Sequence, residues 1–273
     1  MSKTILITGS TDGIGKLAAI RLAKEGHTLY LHGRNSKKLD KVIKEIVNVT
    51  GNDKISGFIA DFTDLEVVKK MGNEVKSKLN NLDVLINNAG VFKSPNQTNT
   101  AGLDLRLVVN YLSPYLLTKE LLPLLEKGSA PRIINLSSAA QEPVSFKALK
   151  GEESLSAQSS YAQSKLALTM WSFYLARQLN NISVIAVNPG SLLDTQMVRE
   201  AYGKFWSPAS KGGDILYELA VSEEYSEKTG KYFDNDKGNP KGSFGEAHRD
   251  AYDAGAIQEL ITITDQILLG NTL

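Results

Sequence analysis

The chain has 273 residues, with 31 lysines and arginines against 30 aspartates and glutamates, for a formal charge of +1. That length holds one large α/β domain or at most two small ones. A nearly neutral chain gives no reason to expect a nucleic-acid partner. It has no cysteine, which excludes disulfides, thiolate zinc sites and cysteine nucleophiles, and its three histidines, His27, His32 and His248, are too scattered to form a metal centre.

The first predicted element is a strand over 3–8, Thr4-Ile5-Leu6-Ile7-Thr8, with no apolar leader before it. No run of about 18 apolar residues occurs to span a membrane. The ending Gly270-Asn271-Thr272-Leu273 has no lipidation or retention signal. The expectation is a soluble, cytoplasmic protein with no membrane partner.

Between this strand and a helix over 13–25 lies Thr8-Gly9-Ser10-Thr11-Asp12-Gly13-Ile14-Gly15. Gly9 permits the tight turn, Gly13 lets backbone approach a pyrophosphate, and Gly15 allows close helix–strand packing. A phosphate would meet unpaired N–H groups at the positive end of the helix dipole. A glycine-rich turn can exist without a ligand, but the strand–turn–helix setting favours a dinucleotide.

A second strand over 28–32 ends in Leu31-His32-Gly33-Arg34-Asn35. Enzymes that bind NAD usually place a carboxylate there for the ribose 2′-hydroxyl. Here Gly33 takes that place and Arg34 follows. A guanidinium can pair with a 2′-phosphate and stack on adenine, so NADP(H) is favoured over NAD(H). Asp12 weighs weakly against this, since a carboxylate near phosphates adds no attraction.

Helix 36–50, strand 55–60, helix 63–79 and strand 83–87 continue the rhythm, followed by a helix over 101–126, a strand over 131–137, a helix over 158–180 and a strand over 182–188. The apolar runs show little polar alternation, as strands buried on both faces do. Repeated βα units with right-handed crossovers predict a single-domain, doubly wound Rossmann-type α/β fold. It would have about seven parallel strands with helices on both faces. The seventh strand is expected near Lys231-Tyr232-Phe233 and a last helix over 246–269. Asp234–Pro240 reads as a loop. Segments 139–160 and 191–213 fit the rhythm poorly, and both follow C-terminal strand ends, where ligands bind.

Within helix 101–126, Pro114 stands four residues after Asn110. Proline has no N–H, so the Asn110 carbonyl loses its helical partner and is freed to hold a water; a simple bend around the core is the other reading. In Tyr161-Ala162-Gln163-Ser164-Lys165 the i, i+4 spacing puts a phenol and an ammonium on one helix face. A nearby cation lowers a phenol pKa, so the pair can exchange a proton with a carbonyl or alcohol oxygen.

These motifs, in this order and over essentially the whole chain, resemble the short-chain dehydrogenase/reductase family. Asn87-Asn88-Ala89-Gly90 resembles its fourth-strand motif, Asn135-Leu136-Ser137-Ser138 its fifth-strand end, and Asn188-Pro189-Gly190 the turn facing the nicotinamide. The resemblance implies an oxidoreductase acting on a small-molecule carbonyl or alcohol. It implies that Tyr161 donates or accepts the proton, Lys165 lowers the Tyr161 pKa and holds the nicotinamide ribose, Ser138 binds the substrate oxygen, and Asn110 holds a relay water. It implies cofactor contacts at Gly9, Ser10, Thr11, Gly13, Ile14, Gly15, Arg34, Asn35, Asp61, Phe62, Asn88, Ala89, Gly90, Pro189, Gly190, Leu192 and Thr195, beside Tyr161 and Lys165.

Ser138 and Tyr161 are 23 positions apart, a long spacing that resembles the retinol-dehydrogenase-like and carbonyl-reductase-like members. Asp194 stands where a threonine is usual, with Thr195 one beyond. Leu192, Leu193, Met197, Val198, Tyr202, Phe205 and Trp206 in segment 191–213, with Val144 and Phe146 from segment 139–160, point to a bulky apolar substrate, unless they pack on the core or on a second subunit of a homo-oligomer. The alternatives are a non-catalytic dinucleotide-binding regulatory protein on the same fold and, less favoured, a nucleotide-sugar epimerase or dehydratase.

Overall fold

A computed structural model describes residues 2–238 and 241–270. The end of the predicted 234–240 loop and the chain's last three residues lie outside the described residues.

Strands β1 (Thr4–Ile7), β2 (Thr28–Gly33), β3 (Ile55–Ile59), β4 (Val84–Asn87), β5 (Arg132–Leu136), β6 (Ser183–Asn188) and β7 (Lys231–Asp234) pair in parallel in the order β3-β2-β1-β4-β5-β6-β7. An eighth strand, β8 (Ser243–Gly245), adds antiparallel to β7 and extends the predicted seven. β8 is three residues long, too short to show a period; it is held by Phe244 against Phe233, ring centroids 5.2 Å apart. Strand order reverses between β1 and β4, so a crevice opens above their C-terminal ends.

Every residue of β4 and β5 is buried, because helices cover both faces. One face carries α1 (Gly13–Lys24), α2 (Ser36–Thr50) and α9 (Ala209–Val221). The other carries α3 (Leu65–Lys78), α5 (Ser113–Leu125), α7 (Ala157–Gln178) and α10 (Ala254–Leu268). Among the described residues, no helix is long and apolar enough to cross a membrane.

α9 begins inside the segment 191–213 that fits the strand–helix rhythm poorly, and it carries Gly212-Gly213 in its first turns. Both glycines are there for packing. A Cβ on Gly213 would stand 2.7 Å from the Leu17 Cβ of α1, and one on Gly212 would stand 2.7 Å from the Ile14 Cγ2. Gly213→Ala should therefore destabilise the fold by about 1–3 kcal/mol through overpacking. A denaturant titration checks this, and an unchanged midpoint would mean that α9 yields freely.

The predicted helix 101–126 is in three parts: α4 (Leu105–Leu107), a π-turn (Val108–Leu112) and α5. Ser113 N–H donates to the Val108 carbonyl five residues back, so the helical register slips just before Pro114. The slip falls just before Pro114, which lacks a donor, and takes the form of a widened turn containing Asn110.

Segment 139–160 holds α6 (Phe146–Leu149) and the start of α7. Segment 191–213 holds α8 (Gln196–Tyr202) and leads into α9.

Candidate active site

The crevice is a groove of about 450 Å³ running along the C-terminal strand ends, from Arg34 and Lys38, past the glycine turn, to Ser138, Tyr161 and Lys165. Its floor is shaped by missing side chains. Gly9 has φ +63°, and a Cβ there would lie 2.6 Å from the Ala89 Cα. A Cβ on Gly15 would lie 2.4 Å from the Asn88 Nδ2. Asn88 locks this approach, its Nδ2 donating to the carbonyls of Thr8 (2.8 Å) and Gly9 (2.9 Å). The turn thus presents backbone and the first N–H groups of α1 to the groove, a cradle that fits a pyrophosphate.

At one end of the groove Arg34 is exposed, and among the described residues no carboxylate lies within 4 Å of its guanidinium. Asp12, the residue that weighed against NADP(H), has its charge engaged: it accepts from Gly13 N–H at the start of α1 and pairs with Lys38 at 2.8 Å. Those bonds hold its carboxyl below the usual range. Lys38 lines the groove as a second cation; it stands in the first turn of α2, beyond the strand end where a ribose partner is expected from the sequence. Asp61 and Phe62 line the same end. Phe62 stacks on His32 at 4.2 Å, and Asp61 accepts from the N–H and hydroxyl of Thr63.

At the other end, α7 presents Tyr161 and Lys165. The helix is anchored beneath by a buried amide ladder: Asn87 Nδ2 donates to Thr118 Oγ1 and to Asn135 Oδ1, and Asn135 Nδ2 donates to Ser172 Oγ. Lys165 Nζ lies 5.6 Å from the centre of the Tyr161 ring and donates to the Leu136 carbonyl at 2.7 Å. Burial pulls the Lys165 ammonium down to about 7. Burial pushes the Tyr161 phenol up to about 12, partly offset by the Ser138 hydroxyl. The net shift of Tyr161 is thus opposite to the lowering expected from Lys165, because desolvation dominates at both groups and drives each towards its neutral form.

A lysine depressed by burial costs stability where it must be charged. Below about pH 7 the folded chain bears the full cost, and the cost fades as pH rises towards the unfolded value of 10.5. Lys165→Met should therefore raise the melting temperature at pH values below about 7, by an amount that shrinks towards about pH 10. Thermal melts across that range check it; a gain that grew with pH would contradict the assignment.

Several expected contacts are placed differently. Thr11, Gly13, Ile14, Gly15, Ala89, Gly90, Pro189, Gly190 and Thr195 do line the groove. Ser10 does not: its hydroxyl is buried, donating to the Ile7 carbonyl and accepting from His32 N–H. Asn35 is exposed and caps α2, its Oδ1 accepting from Lys38 N–H. Leu193 rather than Leu192 faces the groove, while the Leu192 carbonyl accepts from Trp206 N–H. Thr195 faces the glycine turn and caps α8.

Asn110 is buried and outside the lining. Its side chain clamps Val91, accepting from the Val91 N–H (2.8 Å) and donating to its carbonyl (3.0 Å), and also donates to Ser164 Oγ. It positions the loop that follows β4. Val144 and Phe146 pack against the core and not into the groove. The apolar wall comes instead from Leu193, Met197 and Val198 of the segment over the groove, and from Phe92, which was missed because it follows the Asn-Asn-Ala-Gly motif in an irregular loop. Phe92 meets Tyr161 at 5.1 Å and Tyr202 at 5.5 Å. Phe205 and Trp206 are exposed.

A doubly wound sheet with a glycine cradle at its switch point and, at the far end, a half-buried Ser138 and Tyr161 beside a buried Lys165 defines a dinucleotide-dependent oxidoreductase. The sequence profile of the short chain dehydrogenases matches residues 3–204, and the chain belongs to that family, whose members oxidise alcohols or reduce carbonyls. It is 32% identical over 253 residues to human retinol dehydrogenase 13, covering 85% of this chain and 76% of that one. A short chain dehydrogenase of Shigella flexneri complexed with NADP superposes with a TM-score of 0.69 at 29% identity, covering 85% of this chain and 96% of that one. A protein of Mycobacterium paratuberculosis shares the fold, with a TM-score of 0.80 at 23% identity over 97% of this chain and 93% of that one.

Proposed function

We propose that this chain is an NADP(H)-dependent oxidoreductase that interconverts a bulky apolar carbonyl compound and its alcohol, with Tyr161 as proton donor and acceptor. The observation that carries the reading is the single groove joining Arg34 to Tyr161 and Ser138. The nicotinamide, when bound, supplies or takes the hydride. The chain's own residues do the rest. Arg34 pairs with the 2′-phosphate, with Lys38 beside it. Ser138 hydrogen-bonds the substrate oxygen and stabilises negative charge developing there. Tyr161, whose high pKa keeps the phenol protonated at neutral pH, gives its proton to that oxygen during reduction. Lys165 holds the ribose beside it.

Apolar substrates are favoured by Phe92, Leu193, Met197 and Val198 on the groove wall, and by the likeness to a retinol dehydrogenase. Turnover of a panel of lipophilic ketones, aldehydes and quinones with NADPH and NADH tests the reading. Reduction of small polar carbonyls in preference to the apolar ones would overturn the substrate class.

A further inference from the structure

His32 has no part in the chemistry above, yet both nitrogens of its ring are engaged, one at the glycine turn and one at the loop after β3. We infer that His32 is the positioning residue of the phosphate-binding turn: a neutral imidazole that holds the Gly9 amide inward and so aims the remaining N–H groups of the turn at a dinucleotide pyrophosphate. The inference rests on the dinucleotide reading of the groove and extends it to a residue that the glycine motif does not include.

The ring sits near the end of β2, only 3% exposed. Gly9 N–H donates to its Nδ1 at 3.1 Å, so Nδ1 must carry a lone pair. Its Nε2 lies 3.0 Å from the Ala60 carbonyl, which can only accept, so Nε2 carries the proton. The two partners thus select one neutral tautomer. Burial reinforces it, holding the imidazole down at about 4. The ring face lies on Phe62 at 4.2 Å, fixing its plane. The backbone of the same residue completes the grip: His32 N–H donates to Ser10 Oγ, and Ser10 N–H donates to the His32 carbonyl, both at 3.0 Å. One residue therefore ties the turn after β1 to the loop after β3.

This matters at Gly9 because no side chain can hold that residue in place. Its φ of +63° and its approach to Ala89 exclude a Cβ, so it is steered through its backbone. The carbonyl is held by Asn88 and the amide by His32. An apolar residue at position 32 would fill the same space but leave the Gly9 N–H without an acceptor.

Two substitutions separate the two ends of the ring. In His32→Asn the side-chain oxygen can stand near the Nδ1 position and accept from Gly9. In His32→Gln the amide nitrogen can stand near the Nε2 position and reach Ala60 but not Gly9. NADPH dissociation constants are measured by fluorescence titration well below each variant's melting temperature. His32→Gln should bind about tenfold more weakly than the wild type, and His32→Asn within about threefold of it. Wild-type affinity in His32→Gln, with only the melting temperature lowered, would make the ring mere core filling and overturn the inference. Equal weakening in both variants would overturn it as well.

Nitrogen chemical shifts of the wild-type ring give a test that no variant's folding can spoil. They should report the neutral Nε2–H tautomer between about pH 5.5 and 8, and a ring protonated at Nδ1 would contradict the proposed role. A wild-type chain that binds neither NADPH nor NADH would overturn the dinucleotide reading together with this one. Wild-type binding with indifferent variants would overturn this one alone.

Discussion

Tyr161→Phe is expected to cut carbonyl turnover by about a hundred- to ten-thousandfold, the range of a lost general acid, while NADPH affinity stays close to that of the wild type. The ring would remain packed against Phe92, since that tilted ring contact needs no hydroxyl. What is lost is the one group proposed to hand a proton to the substrate oxygen. The phenol's pKa, raised to about 12, also sets the pH behaviour. Reduction uses the protonated form, so the Tyr161 proton should not limit the rate as pH rises through neutrality. Oxidation needs the phenolate and should quicken as pH rises. Steady-state rates in both directions, with cofactor titration on the same preparation, check this. Near-wild-type turnover in a folded Tyr161→Phe variant would remove Tyr161 from the mechanism.

Arg34→Ala should weaken NADPH binding by about 1–3 kcal/mol, the value of a charge-assisted hydrogen bond to a phosphate, and leave NADH nearly unchanged. The expectation is asymmetric because NADH lacks the 2′-phosphate that Arg34 is proposed to read. Lys38 faces the same end, but it already shares its charge with Asp12 at 2.8 Å. Lys38→Met should therefore cost less than Arg34→Ala. Equal losses for NADPH and NADH in Arg34→Ala would mean that the guanidinium does not distinguish the two cofactors.

The parallel sheet was legible because its strands are short apolar runs spaced by helices, and one face cannot be told from the other when both are buried. The glycine turn and the Tyr161–Lys165 pair were legible because each is local: a turn of eight residues and one step along a helix. What escaped was set by packing between distant segments. Gly212 and Gly213 look like breakers until α1 is seen lying against them. Ser10 looks like a phosphate ligand until His32, 22 residues away, takes its hydroxyl. The Asn110 side chain is committed at both ends to Val91, 19 residues away, a partner that no local pattern names. Phe92 and Lys38 reach the groove through a loop conformation and a helix direction that no local pattern states. The pKa of Tyr161 escaped for a related reason. A lysine four residues on predicts a lowered phenol, but the desolvation of both groups is a property of the closed fold.

The central claim is that the groove from Arg34 to Tyr161 moves a hydride between NADP(H) and an apolar carbonyl. Single-turnover mixing of the NADPH-loaded wild type with each member of a lipophilic carbonyl panel, following loss of the reduced nicotinamide and formation of the alcohol, tests it most directly. The account predicts stoichiometric conversion of at least one apolar carbonyl by the wild type and its near-abolition in Tyr161→Phe. Tight NADPH binding with no conversion of any member would contradict it, and would point to a non-catalytic dinucleotide-binding protein on the same fold.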